Sequence, residues 1–81
     1  MGQNINQEIG GRVRAARLSR GFGLRRVADV MGISFQQLSM LERGRNSWSA
    51  DRILGAAIAV GVTIRSLVPP AAARSGRRRR A

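Results

Sequence analysis

Cysteine and histidine are both absent from this 81-residue chain. Their absence excludes disulfides, thiolate and imidazole metal sites, and the usual pairing of a nucleophile with a histidine base. Tyrosine and lysine are missing as well, aromatics make up 4% of the residues, and the only acids are Glu8, Asp29, Glu42 and Asp51. General acid–base catalysis has almost no material here, so the composition predicts a protein that is not an enzyme and holds no metal or cofactor. Long hydrophobic runs are lacking too. No apolar stretch approaches the ~18–20 residues of a membrane span, and the N-terminus carries no secretory pattern. The expected setting is cytoplasmic, nucleoid-associated and without a membrane partner.

What the chain has is arginine. Fifteen of them give a formal charge of +11. Five lie in a C-terminal run (Arg74, Arg77, Arg78, Arg79 and Arg80), and the other ten against four acids leave +6 on residues 1–73. The body of the chain is therefore basic in its own right, which points to a polyanion and most simply to nucleic acid. Basic surface also aids solubility, but a bias to arginine alone suits bidentate phosphate and base contacts better. An apolar share of 43% allows one modest core and no second one.

The apolar pattern is helical throughout. Residues 1–5 read as a flexible polar lead-in. Asn6 is the expected N-cap of a first helix that sets Ile9, Val13, Ala16 and Arg17 on one face and turns Arg12, Arg14 and Ser19 away. Gly10-Gly11 weakens its first turns, and Gly21 ends it. Leu24, Val27, Ala28 and Met31 define a second helix stopping at Gly32, and Ser34 caps a third that runs to Glu42 with Leu38 and Leu41 inward. Ser49 caps a fourth, about residues 50–60, with Ile53, Ala56, Ala57 and Val60 inward. Thr63 caps a short fifth through Ile64, Leu67 and Val68, and Pro69-Pro70 closes the domain. The fold class expected is all-α with five helices over residues 6–68, followed by a disordered arginine-rich tail over 69–81.

Two short helices joined by a tight turn at Gly32, over residues 24–42, make a helix-turn-helix arrangement. Three sequence stretches carry a resemblance. The first is Ile9-Gly10-x-Arg12-Val13-Arg14 with Arg17 and Arg20-Gly21. The second is Val27-Ala28-x-x-Met31-Gly32-Ile33-Ser34, and the third Leu38-Ser39-x-Leu41-Glu42-Arg43-Gly44-Arg45. Together they resemble the lambda-repressor/Cro-like, or xenobiotic-response-element, DNA-binding domain over about residues 7–68. Three positions depart from it. Gly23-Leu24 stands where the family has a Ser/Thr-Gln pair whose glutamine clamps a phosphate, Trp48 stands for a proline, and Phe35 for a glutamine.

The resemblance implies DNA base contacts by Phe35, Gln36, Gln37 and Met40. Glutamine pairs bidentately with adenine, while contact at Phe35 would be apolar, for example with a thymine methyl. Met40 either touches a base edge or packs at the rim. Phosphate contacts are implied for Arg43, Arg45 and Asn46 after the third helix, and for Leu24 and Arg25 at the start of the second. Arg17 and Glu42 sit where the family holds a buried, structural ion pair. Trp48 packs beside the loop or, as the alternative, gives its N–H to a phosphate. Leu54 and Ile58, at i, i+4 beside Gly55, are the expected homodimer contact, with completion of the monomer core as the competing reading.

The function expected is a sequence-specific regulator of transcription, a repressor or autoregulator, bound to double-stranded DNA. An antitoxin-type interaction protein, which binds a partner protein and its own promoter, is the alternative. A nucleoid-coating protein is a third. The tail reads as a non-specific electrostatic arm.

Overall fold

A computed structural model describes residues 4–70. It contains five helices in the order α1 (Ile5–Ser19), α2 (Leu24–Met31), α3 (Phe35–Glu42), α4 (Ala50–Val60) and α5 (Ile64–Leu67), with no strand among the described residues. The expected tail falls almost wholly on residues 71–81, which lie outside the described ones, as do residues 1–3.

Local chemistry explains most helix ends. Ser34, Ser49 and Thr63 each accept a backbone N–H three residues on, from Gln37, Arg52 and Ser66 at 3.0, 3.2 and 3.2 Å. Each such cap satisfies an otherwise orphaned donor and is worth about 1 kcal/mol. α2 opens at Gly23 with no side-chain cap.

The start of α1 differs from the sequence expectation. Its cap is Asn4, whose side chain accepts the Asn6 N–H at 2.8 Å, so the helix already includes Ile5. Asn6 is thereby released for another task. Its side-chain oxygen accepts the backbone N–H of Trp48 at 2.8 Å, tying α1 to the segment before α4. A second difference lies at the other end of the domain. Val68 follows α5 as its cap, and Pro69, expected in the tail, is buried.

The core is a single cluster to which α1, α2, α3, α4 and α5 all contribute. Leu38 and Leu41 of α3 sit at its centre with Val13, Val27, Ala56 and Leu67. α3 packs against both α1 and α2, while α4 and α5 close the opposite side against α1. Gly10 makes the α1–α3 contact possible. A methyl group there would collide with the backbone carbonyls of Leu41 and Glu42, so the glycine lets two helices approach more closely than side chains allow. Arg12 does not face away as its helical position suggested. It is half-buried, and its guanidinium reaches the Ser66 carbonyl of α5 at 3.4 Å.

Trp48 lies 7% exposed in the core. Its indole N–H donates to the Leu41 carbonyl at 2.9 Å, satisfying a C-terminal carbonyl of α3. That donor is used inside the fold and is not directed at a ligand.

Candidate nucleic-acid interface

α2 and α3 are linked through Gly32, at φ 75°, and Ser34. Ser34 and Gln37 form a reciprocal cap. The Ser34 side chain accepts the Gln37 N–H at 3.0 Å, and Oε1 of Gln37 accepts the Ser34 N–H at 3.1 Å. The start of α3 is thus rigid. Its end is equally defined. The N–H of Gly44 bonds to Leu41 and that of Arg45 to Met40, at 3.1 and 2.9 Å, with Gly44 at φ 76°. This double closure needs a residue free to adopt positive φ. Gly44 also lies against the Gln7 backbone, leaving no room for a side chain. The loop carrying Arg43, Arg45 and Asn46 is consequently pinned directly below α3, with both arginines exposed and Asn46 half-buried.

The outer face of α3 presents Gln36 and Met40, both exposed. Two residues expected beside them behave differently. Gln37 is exposed, but its amide oxygen already accepts the Ser34 N–H in the cap, so a bidentate adenine contact would have to share that oxygen with the cap. The Ser-x-x-Gln spacing carries that signal in the sequence. Phe35 is half-buried against the core, and the Arg25 guanidinium lies 4.2 Å from its ring centroid. Arg26 stacks in the same way on Phe22, at 4.0 Å. Such contacts, worth about 0.5–1 kcal/mol at exposed sites, order the two arginines at the head of α2. Leu24 is half-buried and packs on the core below them.

Beneath this surface Arg17 and Glu42 form a two-pronged ion pair, Nε to Oε2 at 2.7 Å and Nη2 to Oε1 at 3.0 Å. The remaining Arg17 nitrogen, Nη1, donates to the Phe22 carbonyl at 2.9 Å. One buried guanidinium therefore joins α1, the α1–α2 link and the end of α3. Its hydrogen bond to Glu42 holds Arg17 above the ordinary guanidinium pKa, outweighing the opposing effect of burial. A cleft of ≈ 220 Å3 over this pair is flanked by Arg14 and Arg43. Sequence periodicity put Arg14 on a plain solvated face. Only the packing of α1 on α3 brings it to the same cleft as Arg43.

These elements have known relatives. The sequence profile of the Helix-turn-helix family matches residues 13–67. The chain belongs to that family. A curated member, the "Uncharacterized transcriptional regulator in ATPase CF(0) region" of Rhodospirillum rubrum, is 38% identical over 61 residues. That match takes in 75% of this chain but 56% of the relative, so the chain spans little more than half of that protein's length. Among solved structures, the clp gene regulator ClgR of Corynebacterium glutamicum superposes with a TM-score of 0.79 at 27% identity. The match covers 82% of this chain and 86% of ClgR. The restriction-modification controller protein C.AhdI of Aeromonas hydrophila does so with 0.73 at 27% identity, covering 76% and 94%. The lambda-repressor-like fold expected from the motifs is therefore the fold of this helix-turn-helix protein. No helix among the described residues is long and apolar enough to cross a membrane, and no group of potential metal ligands occurs among them.

Proposed function

We propose that the chain is a sequence-specific DNA-binding regulator of transcription that acts in the cytoplasm as a homodimer. The observation that carries this reading is the presentation of α3. The helix is capped at both ends and locked from behind by Arg17–Glu42, with Gln36 and Met40 outward. Arginines lie on either side, at Arg25 before it and at Arg43 and Arg45 after it. That arrangement suits a helix entering the major groove, with flanking cations on the phosphates and Gln36 on a base edge. The descriptions of the relatives as transcriptional, clp gene and restriction-modification regulators support the same role.

Dimerisation follows from reach. One short helix reads only a few base pairs, whereas a two-fold pair reads two half-sites about 34–36 Å apart. Leu54 and Ile58 share one face of α4 and are 47% and 66% exposed, so they are not part of the monomer core. Gly55, beside them in sequence, faces inward instead, because a methyl there would meet the Met31 side chain of α2 rather than open surface. The test is selection from random duplexes at about 150 mM salt, where non-specific phosphate binding is suppressed. An enriched palindrome is expected, and binding without sequence preference would overturn the proposal.

A further inference from the structure

An apolar crevice of ≈ 280 Å3 opens on the outer face of α3, between that helix and the head of α2. It is lined by Leu24, Phe35, Gln36, Ser39, Met40 and Arg43. Hydrocarbon dominates this lining. Leu24 and Phe35 rest on the core, and Met40 is 37% exposed. The surroundings are cationic, with Arg43 in the wall and Arg25 stacked on the Phe35 ring. Cations at the rim of an apolar crevice, with one free amide at Gln36, suit a polyanion bearing an apolar group beside hydrogen-bonding edges. In the major groove of DNA the apolar group a base pair offers is the C5-methyl of thymine.

We infer that Leu24, Phe35 and Met40 form a receptor for the 5-methyl group of one thymine in each half-site. This inference rests on the DNA-binding reading and adds the base that it selects. It reassigns Leu24 from the phosphate backbone to a base and gives Arg25 a positioning role, since its stacking holds the Phe35 ring in the wall. A crevice of this size takes the methyl-bearing edge of the pyrimidine rather than the methyl alone, while Gln36 remains for the neighbouring pair. Methionine suits such a contact because its unbranched, polarisable side chain adapts to the shape it meets.

The experiment takes the duplex enriched by selection and replaces each thymine singly with deoxyuridine, which removes the methyl and leaves the pairing edge intact. At the read position affinity for the 81-residue chain should fall about fourfold per methyl removed. In Met40→Ala and Leu24→Ala proteins, first shown to be helical by circular dichroism, thymine and deoxyuridine should bind nearly alike. Arg45→Ala should keep the full difference. Equal affinity for thymine and deoxyuridine at every position, or a difference untouched by Met40→Ala and Leu24→Ala, overturns the methyl receptor and leaves the regulator standing. Failure to enrich any sequence overturns the regulator reading itself.

Discussion

The Arg17 guanidinium lies 2.7 Å from the Glu42 carboxylate, although the two residues are 25 positions apart in the chain. Both side chains are almost fully withdrawn from water. Removing one partner strands the other charge in the core, so Arg17→Ala should cost about 3–5 kcal/mol. For a domain of this size that is a large share of the stability, which is about 4–12 kcal/mol at roughly 0.05–0.15 kcal/mol per residue. Urea denaturation checks it, and a loss below about 1 kcal/mol would contradict the account. The sign of the pH dependence follows from the raised Arg17 pKa. While the Glu42 carboxylate is ionised, the contribution is present below the ordinary guanidinium range and fades on the alkaline side only as pH climbs through the raised value. Melting temperature in mildly alkaline buffer should show no loss from this pair.

Gly10 and Gly11 are neighbours in α1 and should respond in opposite directions to alanine. Nothing stands near a methyl group added to Gly11, so Gly11→Ala should stabilise by about 0.5–1 kcal/mol through helix propensity. At Gly10 the methyl meets the backbone of Leu41 and Glu42, which cannot swing aside as a side chain can. Overpacking of that kind costs about 1–3 kcal/mol, which exceeds the propensity gain. Thermal melting of the two variants decides the matter. A stabilised Gly10→Ala protein would mean that α1 and α3 are less closely packed than the structure has them.

Gln36 and Gln37 should separate into a reader and a cap. The Gln36 side chain makes no hydrogen bond within the described residues, so Gln36→Ala should leave the melting temperature nearly unchanged. It should weaken binding to the selected duplex by about 1–3 kcal/mol per half-site, with little effect on a scrambled one. Gln37→Ala loses the bond to the Ser34 N–H and should lower stability by about 0.5–1 kcal/mol. Its discrimination between the two duplexes should survive. If Gln37→Ala lost discrimination at full stability, the roles would be exchanged.

Leu54→Glu with Ile58→Glu places two charges on the exposed face of α4. Helicity should persist, because neither side chain contributes to the core. Sedimentation should show monomers, with weak binding to a two-half-site duplex. A variant that stayed dimeric would move the dimer contact elsewhere.

Helix ends were legible in the residues because they are local events. α2, α3 and α4 begin and end where periodicity, the Ser34 and Ser49 caps and the Gly32, Gly44 and Gly61 stops place them. A cap or a left-handed glycine acts within a few residues of itself, so its signal needs no knowledge of the rest of the chain. The family motif was legible for the same reason, as a set of fixed spacings along successive helices. Tertiary packing decided the rest. Asn6 carries the residue type of a cap, yet its partner is the Trp48 N–H, 42 positions away. Gly10 looks like a defect in a helix until α3 is laid across it, and Arg14 looks like plain solvated surface until the same packing sets it beside Arg43. The crevice of Leu24, Phe35 and Met40 likewise exists only where two helices meet. Periodicity assigns a side chain to a face of its own helix, whereas the neighbour it meets there depends on how the helices are packed together.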